Sequence, residues 1–93
     1  MKEKYFRKIR HDISEPALLE GMAEECTEAA KAALKLARVL RQENPTPVTE
    51  KAARTALNEE FTDVILYANV LRLLIKDKQY KNKLCRWIKR LKV

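Results

Sequence analysis

The side chains of this sequence best suited to chemistry are two short runs of acidic residues. The first run is Glu24-Glu25-Cys26-Thr27-Glu28, and the second is Glu59-Glu60-Phe61-Thr62-Asp63. Both lie in long stretches with no proline and almost no glycine, which favours helices. Because side chains three or four residues apart share one face of a helix, each run presents a pair of carboxylates to one side.

The two pairs of carboxylates converge if the two helices pack antiparallel. Four carboxylates in one place repel each other unless protons or cations occupy the cluster. Carboxylate oxygens are hard ligands, which suit Mg²⁺ and also Mn²⁺. The competing interpretation is solvated surface acids, but apolar residues border both pairs, and polar groups at the edge of a core are costly without partners. The predicted metal ligands are Glu25, Glu28, Glu60 and Asp63.

Taken together, the two acidic runs resemble the EExxE and ExxD signature of MazG-like nucleotide pyrophosphohydrolases, which belong to the all-α NTP pyrophosphohydrolase superfamily. The resemblance covers roughly residues 17 to 91, including Asn44-Pro45-Thr46-Pro47 and the closing segment Lys83 to Leu91. It implies that the same four acids bind Mg²⁺. It also implies hydrolysis of a nucleoside or deoxynucleoside triphosphate to the monophosphate and pyrophosphate, in the removal of noncanonical or surplus nucleotides.

Five further side chains are candidates for catalysis or substrate binding. Glu24 and Glu59 each lie four residues before a predicted ligand. Either could bind a second metal ion or orient the attacking water, and surface charge is the alternative. Lys31 and Lys35 extend the acidic face of their helix and could contact a polyphosphate, or pair with acids one turn away. Tyr67, one turn past the second acidic run, could stack on a base, hydrogen-bond a phosphate, or pack in an interface.

The composition predicts an all-α fold in a single domain. Ala, Leu, Lys, Arg and Glu dominate the 93 residues, which include one Gly and three Pro. We expect a basic N-terminal arm over 1–13, a helix over 14–43 with EExxE, a helix over 47–76 with ExxD, and a basic amphipathic helix over 80–92. The two long helices should pack as an antiparallel helical hairpin, and the short C-terminal helix should complete a helical bundle that forms by oligomerisation.

Capping residues set the expected helix boundaries. Ser14 is the expected N-cap of the first long helix, with Pro16 in the first turn. The breaker Asn44-Pro45-Thr46-Pro47 should end that helix near Glu43. Thr46 should then cap the second long helix, with Pro47 at its first position.

Apolar residues recur at three- and four-residue steps, which marks the face of each helix that should be buried. In the first long helix they are Leu18, Met22, Cys26, Ala29, Ala33, Ala37 and Leu40. In the second they are Ala53, Leu57, Phe61, Val64, Ile65, Ala68, Leu71 and Ile75. In the final helix they are Leu84, Trp87, Ile88 and Leu91. Further apolar residues nearly encircle the second helix, so it should be buried on several sides, and we expect a homodimer or a dimer of dimers.

The net charge of +7 is unevenly distributed. Residues 1–11 carry five basic and one acidic side chain, a net +4, and residues 12–75 carry seven and eleven, a net −4. Residues 76–93 carry eight and one, a net +7. Basic ends attract nucleotides, nucleic acid or an acidic partner. The alternative function is therefore a non-enzymatic basic helical module, although the apolar stripe of the final helix needs burial, and we do not expect nucleic acid as the main partner.

The sequence lacks the residues that several other classes of protein need. Cys26 and Cys85 are too few for a disulfide framework and too far apart for a metal knuckle, so we expect reduced thiols in or near apolar packing. His11 is the single histidine, which disfavours Ser–His or Cys–His catalysis and a di-iron centre. No apolar run approaches the ~20 residues that span a bilayer, and no signal-peptide core is present. We expect a cytoplasmic protein without a membrane partner.

Overall fold

The computed structural model describes residues 2–42 and 47–92, and these residues form four α-helices. The helices are α1 (Lys2–Asp12), α2 (Glu15–Arg41), α3 (Glu50–Val70) and α4 (Asp77–Leu91). No strand occurs within these two ranges. The prediction of an all-α chain is confirmed.

The start of α2 is fixed by the predicted cap. The Ser14 hydroxyl accepts a hydrogen bond from the Ala17 amide at 3.3 Å, and Pro16 lies in the first turn. At its other end, α2 stops at Arg41, because Gln42 adopts a left-handed conformation with φ of 57°. The Gln42 amide bonds back to the carbonyls of the last turn, which ends the helix. The predicted end at Glu43 and the breaker up to Thr46 lie outside the described residues.

The predicted bounds of α3 were wrong at both ends. The cap is Thr49, whose hydroxyl accepts from the Ala52 amide at 3.1 Å, and Pro47 precedes the helix. An N-cap hydroxyl next to an acidic residue in the first turn is a favourable start, so this site competes with Thr46, which is not among the described residues. At the C-terminal end, α3 stops at Val70 rather than at 76. Arg72 takes a φ of 61°, and the amides after Val70 bond back to carbonyls of the last turn.

The core is the seam between α2 and α3. Most buried and half-buried residues of the two helices recur at alternating steps of four and three, the spacing of two helices packed along each other. On α2 these seam residues are Leu18, Met22, Glu25, Ala29, Ala32, Leu36 and Val39. On α3 and at its C-cap they are Ala53, Leu57, Glu60, Val64, Tyr67 and Leu71. Two carboxylates therefore occupy positions that apolar side chains hold elsewhere in the seam. Gly21, Ala37, Ala68 and Val70 are also buried or half-buried but fall outside this alternating spacing.

The seam differs from the predicted apolar stripes by about one residue. On α2, Cys26, Ala33 and Leu40 are exposed, and on α3 Phe61 and Ile65 are exposed. The prediction of these residues as core was wrong within the single chain. Ile75, also predicted as core, follows the end of α3 and is exposed. The hydropathy pattern placed the acids beside the core, and the structure places Glu25 and Glu60 half-buried along the seam itself.

The neighbouring residues of the two helices follow a simple order. Gly21 lies against Tyr67, and Glu25 lies near Glu60. Further along α2, Ala32 shares a groove with Ala53 near the start of α3. The acidic runs are brought to the same level of the seam by this order.

The helix α1 packs against the end of α3. The Arg10 guanidinium donates to the Val70 carbonyl at 3.0 Å and also pairs with Glu3. A cation at the last carbonyls of a helix is favourable because it opposes the negative end of the helix dipole. The predicted N-terminal arm is thus a helix that closes the C-terminal end of α3.

The helix α4 contains no buried residue. Its apolar stripe is exposed, with Trp87 63% and Leu91 81% accessible. It begins at Asp77 rather than at residue 80, and the predicted burial of its stripe is not seen among the described residues of this chain. None of the described helices combines the length and the apolarity needed to cross a membrane.

Candidate functional site

The acidic cluster at the middle of the seam is made by three side chains. Carboxylate oxygens of Glu25, Glu60 and Asp63 lie within 4.8 Å of one another. Two oxygens on opposite sides of one Mg²⁺ are about 4.2 Å apart, since each Mg–O distance is about 2.1 Å. The donor set therefore fits a hard divalent cation.

The negative charges of the acidic cluster repel one another. Partial burial raises the pKa of Glu25, and the negative charges of Asp63 and Glu60 raise it further, followed by Glu28 and Glu24. None of the ion pairs found within 2–42 and 47–92 involves Glu25, Glu60 or Asp63. A proton or a cation in the cluster would relieve this repulsion.

The remaining predicted acids lie at the margin of the cluster. Glu28 is exposed, and its carboxylate pairs with the Lys31 ammonium at 3.4 Å. Glu24 and Glu59 are also exposed and are not in the group of three. The structure thus brings together three of the four predicted ligands, and it leaves Glu28 beside them with a cationic partner.

An open groove of about 270 Å³ adjoins the cluster between α2 and α3. Its lining residues are Glu28, Lys31, Ala32, Lys35, Val48, Ala52, Ala53, Ala56 and Glu60. The groove therefore has carboxylates, two lysines and a floor of small apolar side chains. Sequence reasoning missed the floor; the four-residue spacing of Ala52 and Ala56 is the signal that could have found it.

Tyr67 lies apart from the two lysines. Its ring is half-buried and packs against Gly21. It lines a second, largely apolar groove with Ile9, Leu18 and Val70, on the side where α1 packs. The structure places this ring in helix packing and does not place it in the groove with Lys31 and Lys35.

The two cysteines and the histidine are at the surface. Cys26 and Cys85 are both free and exposed, so the prediction that they lie in or near apolar packing was wrong for the single chain. His11 is exposed, and its Nδ1 lies 3.0 Å from an oxygen of Asp12, away from the acidic cluster. None of these three side chains shares the groove or the cluster.

Comparison of the chain with protein-family models, with curated proteins and with solved structures gave no match.

Proposed function

We propose that this chain is an Mg²⁺-dependent nucleoside triphosphate pyrophosphohydrolase that converts a (deoxy)nucleoside triphosphate and water into the monophosphate and pyrophosphate. The observation that carries the proposal is the convergence of Glu25, Glu60 and Asp63 at one level of the α2–α3 seam. The EExxE and ExxD spacing, which involves the same residues, agrees with it. A role in clearing surplus or noncanonical nucleotides follows from the resemblance.

Acids in a helix seam need an explanation other than solubility. Glu25 and Glu60 are half-buried at seam positions, where apolar side chains would pack better. Partly buried charges are costly unless they are paired or coordinate a metal. A solvated surface acid carries no such penalty, so the half-burial favours the ligand interpretation over surface charge.

The proposed ligands are Glu25, Glu60, Asp63 and, after it leaves Lys31, Glu28. Mg²⁺ is the proposed ion, with Mn²⁺ as a substitute. When bound, the metal ion offsets the charge of the triphosphate and lowers the pKa of a water molecule. The chain's own task is then positioning, which can supply much of the rate enhancement in such reactions.

The groove residues have roles in this scheme. Lys31 and Lys35 lie along the groove and would hold phosphate oxygens by charge. Glu24 or Glu59, at the margin, would orient the attacking water and accept its proton. The water oxygen forms a bond to the α-phosphorus, the bond from that phosphorus to the bridging oxygen breaks, and pyrophosphate leaves. A direct role of Tyr67 in substrate binding is not part of the scheme, because it packs against Gly21.

We also propose the quaternary arrangement predicted from the sequence. The neighbouring pairs Gly21–Tyr67 and Glu25–Glu60 run in opposite orders along α2 and α3, which supports an antiparallel hairpin. The hairpins would assemble as a homodimer or a dimer of dimers in the cytoplasm. The exposed apolar residues of α3, including Phe61 and Ile65, support assembly.

A panel of nucleoside triphosphates tests the activity. The purified protein is incubated with each nucleotide and Mg²⁺, and the pyrophosphate and monophosphate released are measured. We expect the two products in equal amounts. Glu60→Gln and Asp63→Asn should lose activity by orders of magnitude. Glu20→Gln, which removes an exposed acid on the same helix as Glu25, is the matched control and should keep it. Full activity in both cluster variants, or release of phosphate in place of pyrophosphate, would refute the proposal.

One observation favours the alternative function. The helix α4 carries six basic side chains and one acidic side chain, and its apolar stripe is exposed. A basic amphipathic helix of this kind suits an acidic partner protein or nucleic acid. If the nucleotide panel gives no pyrophosphate, binding of DNA or RNA that weakens steeply with salt would support this second function.

A further inference from the structure

The helix α4 has one continuous apolar stripe along its length. At about 100° per residue, the five large apolar and aromatic side chains of this helix fall within an arc of about 100°. All five are exposed, from 44% at Ile88 to 81% at Leu91. We call this set the α4 stripe, and it consists of Tyr80, Leu84, Trp87, Ile88 and Leu91. An exposed apolar surface of this kind marks an interaction site.

Basic side chains flank the α4 stripe on both sides. Lys81 lies next to one edge of the stripe and Lys83 next to the other, and the remaining cations lie further round the helix. Among the described residues, Lys81 is the one cation of α4 that pairs with a carboxylate, that of Asp77 at 3.6 Å. The other five have no acid within ion-pair distance in the described part of the chain, and they are Lys78, Lys83, Arg86, Lys89 and Arg90.

A partner that satisfies both features carries negative charge at one level and hydrocarbon just below it. The surface of an anionic phospholipid bilayer has this layering. Helices with Lys and Arg on one face and Trp or Leu on the other lie in this interface, with the apolar face immersed by about 5–10 Å. Trp87 and Tyr80 suit that depth, because their rings are apolar while the indole N–H and the phenol O–H can stay hydrated.

Nucleic acid or a second α4 helix would each match only one of the two features. A phosphate backbone would neutralise the cations of α4 and leave the α4 stripe in water. A second copy of α4 would cover the stripe but bring six more basic side chains against the first six. Charge complementarity together with the exposed stripe therefore favours the bilayer surface.

We propose that α4 binds the surface of an anionic phospholipid bilayer, lying in the plane of the membrane with the α4 stripe immersed and its cations against the lipid phosphates. None of the described helices is able to cross a bilayer, and binding in the plane requires no such helix. The sequence-based expectation of no membrane partner considered spanning segments alone. This surface is separate from the α2–α3 groove, so the proposal does not depend on the proposed hydrolysis.

The segment between α3 and α4 extends the same apolar surface. Leu73, Leu74 and Ile75 directly precede α4, and they are 52%, 82% and 83% accessible. Three large apolar side chains in a connection exposed to water are costly unless a partner covers them. On a bilayer surface they would enter the layer that receives the α4 stripe.

The first experiment follows the fluorescence of Trp87, the single tryptophan, in the full chain. Vesicles of equal parts phosphatidylcholine and phosphatidylglycerol should move its emission to shorter wavelength, and lipids brominated on the acyl chain should quench it. Vesicles of phosphatidylcholine alone should bind at least tenfold more weakly, because each Lys or Arg near an anionic surface contributes about fivefold in affinity. Raising the salt concentration should weaken binding to the anionic vesicles.

The second experiment separates the apolar and the electrostatic contributions with variants that keep Trp87. Leu84→Gln removes one side chain of the α4 stripe and should weaken vesicle binding on the order of tenfold. Lys83→Gln removes one cation and should weaken it about fivefold. Leu34→Gln on α2 and Lys51→Gln on α3 change exposed side chains of the same two types and should bind vesicles as the wild type does. Circular dichroism checks that each variant keeps its helices.

Three results would overturn the proposal. One is a Trp87 emission that anionic vesicles leave unchanged, as expected if another copy of the chain already covers α4. Another is salt-sensitive binding of DNA with which anionic vesicles do not compete, which would assign α4 to nucleic acid. The third is vesicle binding that Leu84→Gln leaves intact, which would place the contact outside the α4 stripe. The nucleotide panel without vesicles reports separately on hydrolysis, so either proposal can fail without the other.

Discussion

The contact between Gly21 and Tyr67 gives the sharpest test of how α2 and α3 are aligned. A Cβ atom added at Gly21 would lie 2.5 Å from the Tyr67 hydroxyl oxygen and 2.7 Å from its Cε1 and Cζ atoms. Ordinary carbon contacts begin near 3.5 Å, so the ring would have to shift by about 1 Å. Overpacking of this kind costs about 1–3 kcal/mol. Alanine in place of glycine within a helix gains about 1 kcal/mol, so Gly21→Ala should have a net effect of about 0–2 kcal/mol of destabilisation.

The sign of the effect should reverse when the ring is removed. In a Tyr67→Leu background the added methyl group meets no ring, and Gly21→Ala should stabilise the protein by about 1 kcal/mol. The four proteins are unfolded in urea at one fixed protein concentration, because assembly makes stability depend on concentration. The double-mutant cycle should give a coupling of about 1–3 kcal/mol. If Gly21→Ala stabilises both backgrounds equally, the two residues are not in contact, and the alignment that places Glu25 beside Glu60 is wrong.

Three further predictions concern the acidic cluster and α4. Without metal, Glu60→Gln should be as stable as the wild type or more stable, because it relieves charge repulsion. Mg²⁺ should raise the melting temperature of the wild type, and this rise should largely disappear in Glu60→Gln. An undiminished rise in the variant would contradict the assignment of Glu60 as a metal ligand. The pKa of Glu25 is raised in the folded chain, so the folded state binds this proton more tightly than the unfolded state. With a chelator present to remove metal ions, the stability of the protein should therefore increase as the pH falls through that pKa and decrease as the pH rises. The variant Glu25→Gln should flatten this dependence, and urea midpoints that stay identical across the pH series would refute it. If α4 packs on another copy, truncation before Lys78 should lower the melting temperature. In the full chain, the fluorescence emission of Trp87, the single tryptophan, should then lie at a shorter wavelength than that of free tryptophan. An unshifted emission, together with a truncated chain that melts at the same temperature and has lost salt-sensitive nucleic-acid binding, would favour the alternative function.

Much of the secondary structure was readable from the sequence. The Ser14 cap and the all-α composition depend on local chemistry, and the structure agrees with both. The end of α3 was not readable in the same way, because Leu73, Leu74 and Ile75 continue an apolar pattern past Val70. The left-handed turn at Arg72 that stops the helix occurs at a residue with no special preference for that conformation.

The seam itself shows why the site was only partly predictable. Hydropathy assigns Cys26 to the core and Glu25 to its edge, but the two positions differ by only 100° around the helix. The structure buries part of Glu25 and exposes Cys26, the reverse of what hydropathy alone favours. The pairing of Glu28 with Lys31 depends on rotamers that spacing does not specify. The exposure of Cys26 and Trp87 in a single chain could not be predicted from the sequence either. Their apolar neighbours give the same hydropathy pattern whether or not a second chain covers them.

The position of the two seam carboxylates also bears on how the helices find their alignment while the chain folds. If α3 slid by seven residues along α2, the apolar spacing of both helices would still match. Glu60 would then meet Leu18 or Ala32, and Glu25 would meet Ala53 or Tyr67, so each carboxylate would be alone among apolar side chains. Such a mismatched pair could neither share a proton nor chelate an ion, and a single polar position is known to fix register in helix pairs for this reason. The two seam acids thereby favour a single alignment of two helices whose apolar spacing alone would accept several.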